Sequence, residues 1–549
     1  MTSTTAAGSA RPARTPPSLS TLAHWTVLAL LVLLVFGPIL ALVLATLAEL
    51  TTGHRDWLAL AFPRGRQLPL LWRTLVLAVS VAVSGMVAGV LVASVLTRWR
   101  TGRRSTLRWG LLVLAPVPLY VHALAWSSAV LTVNRWLAAQ GLPEVTLRGI
   151  PAAWWIELMA FLPVAAGIAL VALEAVPTGL IEAARPLRPD IHVFRQVVLP
   201  LAKPMLLAGG SILLLLSLLD YSVPALFREN VYSLAVFAEY SIRHSAVRTF
   251  LFSVPLLVLM MAVVVASQAA LRDVAQEPGR PKRPPGLPFR WPGWFRALQV
   301  LACALLAVQI LVPVVVLLIV AQSWSVFVQT VTAAGEQISF SILIALAAAL
   351  ACLPLALGLA DQLQIKDRFL RWRWFFVTSP LAIPAPLIGV GLILIWNRPL
   401  VGGVYSSAVM PVLAALARFT SLAAIIVLAQ MRRIDPTLID AARILQSSSR
   451  QTWLQVRLPM LMPGLVAAAS LTFALTLGEI GATLLVAPPG RSTITLRIYN
   501  FLHSGESEAV AGLCLMMAVI AALAGLVAAV TLHSWSRVLP DSQVEEGSA

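Results

Sequence analysis

Residues 180–185 read Leu-Ile-Glu-Ala-Ala-Arg, and residues 438–443 read Leu-Ile-Asp-Ala-Ala-Arg. A shift of 258 residues superimposes them. A shift of 259 then places Leu199-Pro200 on Leu458-Pro459, Pro204 on Pro463, Ser211 on Ser470 and Asp220 on Glu479. The same shift places Tyr240 on Tyr499 and His244-Ser245 on His503-Ser504. One single-residue gap accounts for the whole register. Chance in apolar sequence supplies an isolated match, but it does not hold Pro, Tyr, His and acids in step. The chain therefore reads as two copies of one unit in parallel topology.

Composition says what solvates those copies. The chain has 549 residues, which as soluble protein would make three or four domains. Apolar residues make up 59% and charged residues 11%. A typical soluble domain has roughly half and about a quarter. So few charges cannot cover so much apolar surface, and the solvent must be lipid. The net charge of +17 does not point to nucleic acid. In a membrane protein such a surplus reports Lys and Arg in cytoplasmic loops. Cys303, Cys352 and Cys514 lie far apart in apolar runs, with no disulfide or metal-ligand spacing.

A crossing helix needs about 20 apolar residues. Twelve runs qualify: 25–49, 74–97, 110–132, 151–176, 201–222, 248–271, 297–322, 339–360, 374–396, 408–431, 460–487 and 509–533. With the N-terminus inside, 27 of the 40 basic residues fall in cytoplasmic segments and 12 in outer loops, with Arg418 inside a span. Both termini are therefore expected in the cytoplasm. The first run is too long for a signal peptide and is expected to stay as an anchor. Residues 272–296, RDVAQEPGRPKRPPGLPFRWPGWFR, read as a Pro- and Arg-rich linker. The expected organisation is a tail (1–24), a first unit (25–271), the linker (272–296), a second unit (297–534) and a tail (535–549).

The repeated segments between the fourth and fifth spans of each unit are the most informative. Each reads as a short helix, a turn and a short amphipathic piece ending in Leu-Pro. Asp435 suits the cap of the second helix and Pro436 its first turn. EAAR at 182–185 and DAAR at 440–443, each followed by LP at 199–200 and 458–459, resemble the EAA loop of binding-protein-dependent ABC importer permeases. LTLGEIGATLLVAPPG (475–490) and RIYNFLHSGESEAVAGL (497–513) resemble the fused double permeases grouped with ferric-iron and thiamine uptake.

That resemblance implies an all-α integral membrane protein of the type I ABC importer permease kind, with about twelve helices in two pseudo-equivalent six-helix halves. It implies that Glu182 and Asp440 dock on a cytoplasmic ATPase. Ala183, Ala184, Ala441 and Ala442 would permit close approach, and Leu199-Pro200 and Leu458-Pro459 would lead into the next span. It implies two copies of that ATPase, which carry the ATP and Mg, an extracytoplasmic binding protein, and residence in a bacterial plasma membrane. The family's turn glycine is replaced by Arg188 and Gln446, and Pro186 interrupts the first loop. The first loop should therefore be less regular than the second. Ferric iron is the first substrate implied, with thiamine, phosphonates and polyamines behind it.

No GxxxxGK[ST] phosphate loop, HExxH, CxxC or GxSxG motif occurs. No cofactor or metal site is expected in this chain, and ATP hydrolysis is expected on a partner. Asp220 and Glu479 lie near the outer ends of their spans, where they either line an outer gate or cap a local helix break. Tyr240, His244, Tyr499 and His503 fall in matching outer loops and read as scaffold rather than a ferric-ion site. Glu157, Glu174, His122 and Arg418 have no repeat partner. An ion- or proton-coupled secondary transporter is the alternative, since twelve spans and the basic segment 97–104 also suit that class. A polytopic enzyme would need more polar residues at one depth than the sequence offers.

Overall fold

The computed structural model describes residues 26, 29–30, 32–52, 55–97, 105–115, 117–276, 289–321, 324–365, 367–445, 448–504 and 507–538. The expected tail 1–24, residues 539–549 of the expected tail 535–549, residues 98–104 of the basic segment 97–104, the linker centre 277–288 and Gln446 lie outside them, while 535–538 continue the last helix. The described residues are mostly helical, joined by turns and short coil, without a strand.

The first half comprises α1 (Val32–Thr51), α2 (Gln67–Leu96), α3 (Ser105–Leu114), α4 (Leu119–Ala139), α5 (Gly149–Ala175), α6 (Thr178–Ala184), α7 (Asp190–Leu219), α8 (Ser222–Leu226), α9 (Tyr232–Arg243) and α10 (Ala246–Gln276). The second half comprises α11 (Gly293–Val320), α12 (Trp324–Ala333), α13 (Gly335–Gln364), α14 (Leu370–Ala382), α15 (Ala385–Trp396), α16 (Val409–Met431), α17 (Pro436–Leu445), α18 (Thr452–Leu477), α19 (Thr483–Val486), α20 (Ile494–Ser504) and α21 (Ser507–Val538).

Ten of these helices are long and apolar enough to cross a membrane, and the bent pair α14–α15 makes eleven. The expected count of twelve needs one correction. The run 110–132 is no continuous span, because α3 stops at Leu114 and α4 restarts after Pro118. Pro118 is extended, at ψ 145°, and its ring nitrogen offers no N–H to a helix. The pseudo-equivalent run breaks at Pro384, where α14 and α15 meet at 96°. The run 460–487 also ends early, at Leu477.

Within each half the packing repeats. α2 lies along α5 as α13 lies along α16, and α7 along α10 as α18 lies along α21. Small residues set these approaches: a Cβ on Gly89 would come 2.7 Å from the Ala165 backbone. Between halves the first helices are exchanged. α1 packs on α15 of the second half, and α11 packs on α4 of the first. Likewise α21 packs on α3 and α10 on α14. α5 and α16 are the most buried spans, and α1 and α11 the least. Buried apolar clusters therefore mix the halves. Leu42 and Leu218 pack with Ile388 and Val486, and Val121 packs with Leu477 and Met517.

Candidate functional site

Two regions at opposite ends of the bundle carry the polar side chains. At one end are the paired loops. α6 stops at Ala184, one residue before Arg185 and two before Pro186, whereas α17 runs ten residues to Leu445. The first loop is thus the less regular, as Pro186 requires. Glu182 and Ala183 are exposed, and Ala184 is half-buried. Asp440 and Ala441 are exposed and Ala442 is buried, so the acid faces outward while the second Ala packs inward. Asp440 pairs with Arg443 at 3.3 Å, both side chains largely exposed. The Thr437 backbone N–H donates to Asp435 Oδ1 at 2.9 Å and holds that carboxyl below its usual range. Each loop enters its span through a π-helical turn, 194–198 before Leu199-Pro200 and 452–457 before Leu458-Pro459. Each π-helical turn runs directly into its span.

The two loops are held differently. Arg185 grips Asp190 bidentately, with Nε–Oδ1 at 3.0 Å and Nη2–Oδ2 at 3.1 Å. The Arg290 backbone N–H donates to the same Asp190, and the Arg185 guanidinium lies 5.4 Å from the Phe289 ring centroid. Phe194 sits edge-on to Trp291 at 5.1 Å and to Phe295 at 5.8 Å. The end of the expected linker is therefore a strap packed on the first loop. At the repeat position of Phe194 stands Trp453. Phe194 is 4% exposed and Trp453 is 38% exposed. Arg457 instead pairs with Asp361 of α13.

At the other end, α7 stops just before Asp220 and α18 two residues before Glu479. Asp220 Oδ1 accepts from the Ser222 hydroxyl at 2.7 Å, and Oδ2 accepts from the Val223 N–H at 3.0 Å. Glu479 accepts from the Ala482 and Thr483 N–H groups, both at 2.8 Å, and from the Thr483 hydroxyl at 2.6 Å. Each acid caps the short helix that follows its break, α8 or α19. Glu479 also pairs with Arg418 of α16, the partner that the sequence alone did not identify. Asp220 lies within electrostatic range of Arg418, and Tyr221 within range of Glu479. A Cβ on Gly481 would come 3.4 Å from the Tyr221 ring and 2.7 Å from Ala385. The two breaks thus meet across the boundary between the halves.

Other candidates are dispersed. Glu157 is fully buried and accepts from the Ser217 hydroxyl. His122 Nε2 lies 3.5 Å from Gln309 Nε2 of α11. Glu174 lies near the loop end of α5. Tyr240 is half-buried on α9, and His244 follows that helix at φ 52°. Tyr499 is half-buried on α20, and the His503 side chain lies outside the described residues. Among the described residues no group of three or more His, Cys, Asp and Glu could hold a metal ion.

Residues 352–535 match the family model for the binding-protein-dependent transport system inner membrane component. The molybdenum transport system permease protein of Mycobacterium tuberculosis is 30% identical over 221 residues, which cover 36% of this chain and 81% of that one. This chain belongs to that permease family. A 2-aminoethylphosphonate transport system permease protein of Salmonella paratyphi A is 27% identical over 156 residues, 28% of this chain and 57% of the relative. The putrescine transport system permease protein of Escherichia coli K12 is 24% identical over 157 residues, 28% and 56%. The permease thus spans little more than half the length of these two relatives. The family match contains the second loop, the Arg418–Glu479 pair and the second break.

Proposed function

We propose that this permease carries both membrane halves of an ABC importer in one chain, a fused double permease of the ferric-iron and thiamine type. A separate cytoplasmic ATPase, two copies of it, docks on Glu182 and Asp440 and carries the ATP and Mg. An extracytoplasmic binding protein delivers a small solute to the opposite face. Both termini lie in the cytoplasm of a bacterium, and the chain sits in its inner membrane. The supporting observation is the pair of loops at one end of the bundle, each presenting an exposed acid beside exposed apolar side chains. Leu187 in the first loop is 82% exposed, and Ile444 and Leu445 in the second are each 85% exposed. Apolar side chains that far from a bundle core fit a protein partner better than water.

Closure of the ATPase pair brings the loops together. Because the π-helical turn at the end of each loop continues into α7 or α18, that movement turns the spans as levers. Their far ends carry Asp220 and Glu479, so the levers part the two breaks and open the path between the halves. Ferric iron remains the first substrate by resemblance. The relatives named for 2-aminoethylphosphonate, putrescine and molybdenum transport make an organic amine or an oxyanion the competing cargo.

The docking test compares binding of the cognate ATPase to the wild type and to the Glu182→Ala/Asp440→Ala double variant. Weaker capture by the variant is expected, and equal capture defeats the docking assignment. Uptake into proteoliposomes driven by a proton gradient without ATPase would support a secondary transporter instead. Native mass spectrometry of the captured binding protein identifies the cargo.

A further inference from the structure

α1 and α15 come from different halves and touch at Pro38 and Gly391. A Cβ on Gly391 would lie 2.7 Å from the Pro38 carbonyl carbon, so only glycine admits this contact. Away from the paired loops the two helices part. A slot of about 340 Å³ opens there, lined by Ala41, Leu44 and Ala45 of α1, by Leu394 and Ile395 of α15, and by Arg398 beyond it. Apart from Arg398 the lining is apolar. Leu44 is 58% exposed on the face that α1 turns to lipid.

A second cavity, also about 340 Å³, shares Leu394 and Arg398 with the first. It adds Tyr240, His244 and Asn397. Each of these four polar side chains can offer a hydrogen-bond donor, and no carboxylate lines either cavity. Arg398 Nε donates to Leu394 O at 3.3 Å, and Arg398 forms no ion pair with another described residue. α15 ends at Trp396, two residues before Arg398, which puts the donors where aromatic residues mark the membrane–water interface. An apolar slot thus leads from the hydrocarbon into a donor-rich recess at headgroup depth.

We propose that this continuous slot and recess hold one anionic phospholipid from the leaflet opposite the paired loops. An acyl chain lies between α1 and α15, and the phosphate is bound by Arg398 with Asn397, His244 and Tyr240. Arginine suits phosphate because its planar fork donates two parallel hydrogen bonds and keeps its charge at every physiological pH. The lipid touches α1 and α9 of the first half and α15 of the second, so it bridges the halves. Tyr240 and His244 gain a role that does not depend on the transported cargo.

The test uses the full chain in detergent, with phosphatidylglycerol or phosphatidylcholine added and the bound lipid counted by native mass spectrometry. The wild type should retain one phosphatidylglycerol in preference to phosphatidylcholine. Arg398→Gln should lower that occupancy about tenfold, the effect of losing one charge-assisted hydrogen bond. Ala45→Leu, which fills the slot without touching the donors, should lower retention of both lipids. If Ala45→Leu does not fold, Asn397→Ala with His244→Gln serves as the second variant and should weaken phosphatidylglycerol alone. Unchanged phosphatidylglycerol occupancy in Arg398→Gln overturns the proposal. So does equal retention of the two lipids, or displacement by millimolar inorganic phosphate, which would mark a site for a free anion. Loss of binding-protein capture by Arg398→Gln with lipid occupancy intact would assign the recess to that protein instead.

Discussion

The Arg418–Glu479 pair provides the sharpest test of how the outer break is built. The Glu479 side chain is 4% exposed and that of Arg418 is 19% exposed. Arg418→Met leaves a buried carboxylate with its three hydrogen bonds to Ala482 and Thr483 but no countercharge. Removing one partner of a buried pair costs about 3–5 kcal/mol. Glu479→Gln replaces one acceptor oxygen with an NH2 group, which must face either Arg418 or the Thr483 donors. That change strands the arginine charge and adds an unsatisfied donor costing about 1–3 kcal/mol more. Glu479→Gln should therefore be the more damaging single change. The double variant should be more stable than the sum of the singles predicts, by a coupling of about 0.5–3 kcal/mol. Thermal and denaturant unfolding of the detergent-solubilised chain, followed by tryptophan fluorescence, measures all four proteins. An Arg418→Met variant as stable as the wild type would refute the reasoning, and so would strict additivity.

Two further expectations concern packing. Gly391→Ala puts a methyl against the Pro38 backbone and should destabilise by about 1–3 kcal/mol, whereas Gly167→Ala, with open space around it, should be neutral or slightly stabilising. Unfolding midpoints of the two variants compare them directly. Trp291→Ala removes a 3%-exposed ring from the strap and should cost about 3–5 kcal/mol. Hydrogen exchange should then rise across 185–198 and stay unchanged across 443–457, because the Trp291 ring packs on the first loop.

Much of this was legible because lipid imposes simple rules. A run of about 20 apolar residues reads as a span, and ten such helices each overlap an expected run, most with shifted ends. The Asp435 cap and the short first loop followed from Asp-Pro and Pro186, whose backbone effects are local. Hydropathy failed in the third run because it does not weigh a proline break: Pro118 interrupts a stretch that is apolar on both sides. The Arg418–Glu479 pair was hidden by sequence distance. Its signal was depth, since a cation nine residues into α16 and an acid two residues past α18 lie at the same end of antiparallel helices. The strap was missed for another reason. Residues 289–295 were read by their prolines and arginines, while Phe289, Trp291 and Phe295 supply the packing.

The exchange of first helices has a consequence for synthesis. α1 is made early, but its packing partner α15 begins at Ala385, more than 300 residues after Thr51. At roughly 5–20 residues per second, that separation lasts on the order of 20–70 s. Throughout that time the α1 face destined for α15 must be covered by lipid, by the translocation machinery or by a provisional neighbour. α11 meets the reverse situation, because its partner α4 is already in the membrane when it arrives. The nascent protein therefore cannot finish one half and then the other. The α1–α15 contact closes late, after α11 has met α4, and a ribosome stalled before residue 385 would leave that face of α1 exposed to membrane quality control.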